Sequence, residues 1–235
     1  MEELEPTEAF RLCSKVLAVR PGADLSFLGL RCLPEAAAGQ LVESGYCVVD
    51  AFLDPGRAAA VPQALPRPLG DQRTAGAGSG DTPWCRPVPH DARGDYIVTL
   101  RSGEDLLREE PLKAVVDALE ELLQDLGTVA VVRGEVEMQL AWYPAGSSGY
   151  CRHTDAQPDG SCASGERRLT AIVYCNGDWE PNHGGEIRLW PPALAGESLD
   201  VEPLAGRLLL FLSGCVPHEV LPNRRDRVAV TMWVH

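Results

Sequence analysis

Among the 235 residues no run of 18 uncharged apolar side chains occurs, and no two cysteines stand in C-x-x-C spacing. The first absence argues against a membrane-spanning helix. The second removes zinc ribbons, and the eight cysteines (13, 32, 47, 85, 151, 162, 175 and 215) are too scattered for a dense secreted disulfide framework. Basic residues are also scarce. Lys and Arg number 21 against 34 Asp and Glu, a formal net charge of −13, so the field of the whole chain repels phosphate backbones and anionic lipid. Neither nucleic acid nor a membrane is an expected partner. The opening Met1-Glu2-Glu3-Leu4-Glu5 is acidic where a secretory leader would be basic. We therefore expect a cytoplasmic or nuclear protein with reduced, mostly buried thiols, and a monomer as the working assembly.

What is present is ordinary globular material: 45% hydrophobic and 23% charged residues, enough apolar side chain for one real core. Residues 1–30 are weakly patterned and read as an extension. Residues 31–235 read as one domain, with helical support to about 127 and a β core from about 128. In the support, a helix is expected from Pro34 to Ser44 with Gly45 as its C-cap, followed by β-rich Tyr46–Val49. Asp54-Pro55 supplies an N-cap and a first-turn proline for a second helix. Residues 66–92 carry Pro or Gly at nine positions and read as a long functional loop. Tyr96–Leu100 reads as a short strand. A longer helix is expected over Asp105–Leu126, with apolar residues at 112, 115, 116, 119, 122, 123 and 126 on one face and Gly127 ending it.

Beyond Gly127 the pattern turns β: Val129–Val132, Val136–Tyr143, Tyr150–Asp155, Leu169–Tyr174, Glu186–Trp190, Ser198–Val201, Arg207–Leu212, His218–Leu221 and Val228–Val234, separated by turn residues. The expected class is α+β, mainly β: an antiparallel barrel or jelly roll buttressed by N-terminal helices. No internal repeat is visible.

Inside the β half stands His153-Thr154-Asp155, and much later His218. Side chains alternate along a strand, so His153 and Asp155 project to one side and can share an ion, with His218 closing the set from another strand. Two imidazoles and one carboxylate on one face of an octahedron suit non-haem Fe(II) and leave positions open for a cosubstrate and dioxygen. A catalytic zinc, or unrelated polar residues, fit the same spacing. Downstream, Arg227 heads the apolar run Val228–Trp233. A guanidinium between apolar walls is costly unless it faces an anion, and its planar fork suits a carboxylate. A surface pairing with Asp226 or Glu219 is the alternative.

From Arg93 to Trp233 the chain resembles the hypoxia-inducible-factor prolyl hydroxylases and their protist relatives. The matching stretches are Arg93-Gly94-Asp95, Trp142-Tyr143-Pro144, Gly149 to Asp155, Ile172 to Trp179, Gly184 to Arg188, Val201-Glu202-Pro203 and Pro217 to Pro222, with Arg227 and Trp233. The resemblance implies a double-stranded β-helix and a peptidyl-proline 4-hydroxylase that couples oxidative decarboxylation of 2-oxoglutarate to hydroxylation of a protein substrate, in an oxygen-sensing role. It implies Fe(II), 2-oxoglutarate, dioxygen and ascorbate as reductant. His153, Asp155 and His218 become the iron ligands. Arg227 becomes the partner of the distal 2-oxoglutarate carboxylate, with Tyr174 and Thr231 beside it. Tyr143 becomes a pocket tyrosine, while Ile172, Ile187 and Val220 become apolar lining. Arg167, Arg93, Asp95 and Trp233 fall at the substrate groove, and segment 66–92 at a loop over the peptide.

Departures from the family pattern are Gly165-Glu166-Arg167-Arg168 in place of a short turn, and cysteines at 13, 32 and 47 that lack zinc-finger spacing. The family's animal members act on the transcription factor's degradation domain, and protist relatives act on a small adaptor subunit of SCF ubiquitin ligases. Two other readings remain: an oxygenase of the same fold acting on another residue or a small molecule, and a barrel that binds a metal without turnover.

Overall fold

The computed structural model describes residues 17, 29–68, 84–85, 92–101, 105–132, 135–157 and 167–235. Most of the 1–30 extension, most of the 66–92 loop and Gly165-Glu166 lie outside the described residues.

Two helices open the described chain. Helix α1, Glu35–Ser44, ends at Gly45, whose φ of 81° is the left-handed value a side chain resists and whose N–H reaches Leu41 O at 2.9 Å. Strand β1, Tyr46–Val49, follows at once. Helix α2, Pro55–Ala64, starts as its sequence dictates, with the Asp54 carboxylate accepting from the Arg57 N–H at 2.9 Å. Strand β2 is Tyr96–Leu100.

The next helix departs from expectation at both ends. Asp105–Arg108 is a single tight turn, and the regular helix α3 runs Glu110–Val129. Pro111 explains the split, because its ring permits a first-turn position but not an interior one. Gly127 does not end the helix. An interior glycine costs about 1 kcal/mol, and burial of Leu126 and Val129 at the far end outweighs that. Val129–Val132 is consequently not a strand.

Eight strands follow: β3 Val136–Tyr143, β4 Tyr150–His153, β5 Leu169–Tyr174, β6 Ile187–Leu189, β7 Leu199–Val201, β8 Leu208–Leu212, β9 His218–Val220 and β10 Arg227–Val234. They form two antiparallel sheets, a six-stranded one in the order β1-β8-β5-β10-β3-β2 and a four-stranded one in the order β4-β9-β6-β7. This is the jelly roll. The boundary between helical support and β core is less clean than the sequence suggests, since β1 and β2 come from the support yet occupy both edges of the large sheet.

Strand β10 is its spine. It pairs with β3 through Arg227↔Tyr143 to Val234↔Val136 and with β5 through Ala229↔Tyr174 to Val234↔Leu169. Leu112, Leu119, Leu122 and Leu126 of α3 are fully buried in the same apolar cluster as Val228, Val230 and Met232. The helical support thus covers one face of the spine, and Arg227, Ala229, Thr231 and Trp233 face the cavity between the sheets. No helix among the described residues is long and apolar enough to cross a membrane.

Candidate metal centre and its anion pocket

The described residues contain one cluster of three metal-ligating side chains: His153, Asp155 and His218, whose ligand atoms all lie within 4.8 Å of one another. His153 Nε2 is 3.7 Å from Asp155 Oδ1, and His218 Nε2 is 3.7 Å from Asp155 Oδ2. In both imidazoles the other nitrogen is occupied: Nδ1 of His153 lies 2.8 Å from Cys151 O, and Nδ1 of His218 lies 3.1 Å from Val216 O. A backbone carbonyl accepts only from N–H, so each ring presents a bare Nε2 lone pair to the cluster. Burial, joined by the neighbouring His218 ring, pushes His153 down to about 4, which keeps it a neutral ligand at physiological pH.

Alternation along a single strand does not by itself bring His153 and Asp155 together. Strand β4 ends at His153, and Asp155 sits in the bend beyond it, with its N–H on Ser213 O at 3.0 Å. Thr170 of β5 orients the carboxylate by donating to Asp155 Oδ2 at 2.8 Å, and Thr170 is itself hydrogen-bonded to Ser213 at 2.8 Å.

Arg227 heads β10, is 3% exposed, and gives Nε to Gly185 O at 2.7 Å. Neither carboxylate considered from the sequence claims it. Asp226 meets Arg67 at 3.3 Å, and Glu219 meets Arg188 at 3.7 Å. Gly185, at φ 82°, is required here because a Cβ would stand 3.1 Å from the Arg227 chain. The guanidinium carbon lies 5.0 Å from the Tyr143 ring centre and 5.2 Å from that of Tyr174. The Tyr174 hydroxyl is buried without a hydrogen-bond partner. Burial, opposed by Arg227, pushes this phenol up to about 12, so it remains an O–H donor.

The cavity between the sheets has a volume of about 160 Å³. His153, Asp155, His218, Arg227, Tyr143, Thr231, Ile172, Ile187 and Val220 all line it. So do residues that the sequence reading did not assign: Tyr150, Gln139, Ala141, Thr170 and Ala229. Ala229 was accessible from alternation along β10, and Gln139 and Ala141 from its register with β3. Thr170 has no local sequence signal. A larger cavity of about 740 Å³ lies between α2 and the outer face of the large sheet, but its charged side chains are mutually paired, Arg67 with Asp226 and Arg225 with Asp178.

Three of the four groove residues also line the smaller cavity between the sheets: Arg93, Arg167 and Trp233. Arg167 forks onto Glu137 at 3.2 and 2.6 Å, and its guanidinium lies 4.0 Å from the Trp233 ring centre. Asp95 is corrected. Its side chain is fully buried, and both oxygens accept from Arg93 at 2.7 and 2.6 Å.

The residues present fit both an iron ion and a dicarboxylate. The ligand set is the one Fe(II) oxygenases use. A buried guanidinium bonded to backbone through Nε, beside a buried phenol and with no carboxylate of the described residues against it, suits a carboxylate ligand.

A model of the 2OG-Fe(II) oxygenase superfamily matches residues 138–235. Mouse Egl nine homolog 1 is 32% identical over 202 residues, 80% of this chain and 46% of that protein. Mouse prolyl hydroxylase EGLN3 is 31% identical over 206 residues, 82% of this chain and 79% of the relative. A crystal structure of a Pseudomonas putida prolyl-4-hydroxylase superposes with a TM-score of 0.64 at 30% identity, covering 85% of this chain and 97% of that one. The chain spans about half the length of the Egl nine homolog 1 proteins it matches. On the fold, the ligand triad and these likenesses together, the chain belongs to the 2OG-Fe(II) oxygenase superfamily and is homologous to the Egl-nine prolyl hydroxylases.

Proposed function

We propose that the protein hydroxylates a prolyl residue of a protein substrate, consuming dioxygen and converting 2-oxoglutarate to succinate and carbon dioxide. The observation that carries this reading is the shared cavity: the His153–Asp155–His218 set and the buried Arg227 line the same space, with the Tyr174 ring packed against the guanidinium behind it. When bound, iron supplies the redox chemistry that links decarboxylation to oxygen insertion at a C–H bond.

The chain's own residues do the rest. His153, Asp155 and His218 would hold the ion. Arg227 and the Tyr174 hydroxyl would take the distal carboxylate, which fixes the keto acid in one orientation. Tyr143, Ile172, Ile187 and Val220 wall the cavity with apolar surface and exclude water. Arg93, Arg167 and Trp233 border the space through which a prolyl side chain would enter. Ascorbate is the expected reductant. A reducing compartment, cytoplasm or nucleus, suits the six described cysteines, all of them free thiols.

The test is direct. Purified protein with Fe(II), ascorbate and 2-oxoglutarate should release succinate and add one oxygen to a proline of a protein or peptide drawn from its own cells. Succinate release with the new oxygen on another residue would replace the prolyl reading by a different oxygenase reaction. Absence of keto-acid consumption would leave a metal-binding barrel.

A further inference from the structure

We propose that Arg93 and Asp95 are positioning residues for the metal ligand His153, acting through the ring of Tyr150. The inference rests on the reading of His153 as an iron ligand. The three ligands are not held equally. His218 belongs to β9, which lies between β4 and β6, and its ring packs 4.7 Å from that of Phe211. Asp155 is fixed by Thr170. His153 is the last residue of β4, the edge strand of the small sheet, where the register against β9 slips between Tyr150 and His153. Its side chain is 21% exposed, against 5% for His218 and 8% for Asp155. The bond from Nδ1 to Cys151 O sets which nitrogen faces the ion and the tilted His218 ring borders it at 4.3 Å, which still leaves the imidazole freedom to tilt.

A stack removes that freedom. The Tyr150 ring lies on His153 with centres 3.8 Å apart and planes 22° apart. On Tyr150 sits the Arg93 guanidinium, 4.4 Å from the ring centre. Arg93 is locked in turn by its two-toothed pair with fully buried Asp95, one residue before β2 of the large sheet. The backbone supports the same column, since Gly94 N–H donates to Gly149 O and Cys151 N–H to Ala92 O, both at 2.8 Å. An arginine suits this position because its flat fork binds a carboxylate and stacks on a ring at once, which an ammonium cannot do. The most exposed of the three ligands is thereby tied to the edge of the large sheet.

The experiment is Mn(II) binding to the metal-free protein, followed by the loss of the free-ion paramagnetic resonance signal, with the metal-free melting temperature measured for every variant. Outer-shell partners of metal-bound histidines typically contribute about 10–100-fold in affinity. Tyr150→Phe keeps the stack and should bind as the parent. Tyr150→Leu should bind about 10-fold more weakly. Arg93→Lys retains a charge opposite Asp95, and so the fold, while losing the flat stack; it carries the test even if Tyr150→Leu folds poorly, and should also weaken binding. Because Arg93 acts through Tyr150, adding Arg93→Lys to Tyr150→Leu should cost nothing more. Parent-like affinity in Arg93→Lys, or full additivity in the double variant, overturns the proposal. A parent protein that does not bind Mn(II), or a His153→Ala variant that binds it unchanged, overturns the metal-centre reading itself and the positioning role with it.

Discussion

The two ends of the cavity are built by different means. At the deep end, Arg227 and His218 stand on strands flanked on both sides by other strands, 3% and 4% exposed, and each is bonded to a backbone carbonyl, Gly185 O and Val216 O. At the mouth, His153 ends an edge strand, and Arg93, Arg167 and Trp233 are held by ion pairs and ring contacts. Close packing makes the deep end stiff with backbone carbonyls as its hydrogen-bond partners. The mouth needs partners for every group, and those are the groups that can be tuned for a substrate. Apart from the ligand His153, the groups at the mouth are therefore the ones free to differ with the substrate.

The largest effects are expected where the comparison is starkest. His218→Ala should abolish metal binding and turnover, exceeding the about 10–100-fold that outer-shell changes cost, with circular dichroism unchanged because the β core does not depend on the ion. Retained activity would break the ligand assignment. Next comes Arg227→Lys. A point charge cannot replace the fork, and hydrogen bonds to charged groups contribute about 1.5–3 kcal/mol, so KM for 2-oxoglutarate should rise about 10–100-fold. An unchanged KM would place the keto acid elsewhere.

How much of this was legible depended on whether a residue's environment lies nearby in the chain. Strand β10 could be read directly: a period of two puts Arg227, Ala229, Thr231 and Trp233 on one face, and the intervening valines and methionine bury the other. The cap at Gly45 and the start at Asp54 were equally local. Thr170 was not legible as the partner of Asp155, because the contact runs from the bend after β4 to a strand of the large sheet. Nor was the burial of Asp95, since nothing in Arg93-Gly94-Asp95 says whether the pair faces solvent or protein. The end of α3 failed for a different reason: glycine's local cost was weighed and the tertiary packing of Val129 could not be.

Asp125 provides a control remote from both ends. Burial would raise its carboxyl, but backbone N–H groups of Arg31, Leu33 and Cys32, with the Cys32 thiol, overcome this and hold it below its ordinary value. A lowered folded value means stability that is full above the ordinary carboxylate range and is lost as the pH falls through the folded value. Asp125→Ala should cost about 2 kcal/mol by orphaning buried donors and should flatten the acid side of the stability curve. KM for 2-oxoglutarate should not move. If it does, the division between cavity and scaffold is wrong.

The smallest effect on stability, and the one that sharpens the comparison most, is expected at Arg167. Its pair with Glu137 is part-exposed, with the two side chains 29% and 46% exposed, and such pairs contribute about 0.2–1 kcal/mol. Arg167→Ala should therefore shift the melting temperature little and leave KM for 2-oxoglutarate unchanged, because the deep end does not touch it. Yet the guanidinium covers Trp233, whose indole N–H is buried without a partner. Removing that cover should alter which peptides are accepted, read as a change in KM among proline-containing substrates at constant kcat. Equal loss for every peptide would make Arg167 a structural strut, and the mouth would then be no more tunable than the floor.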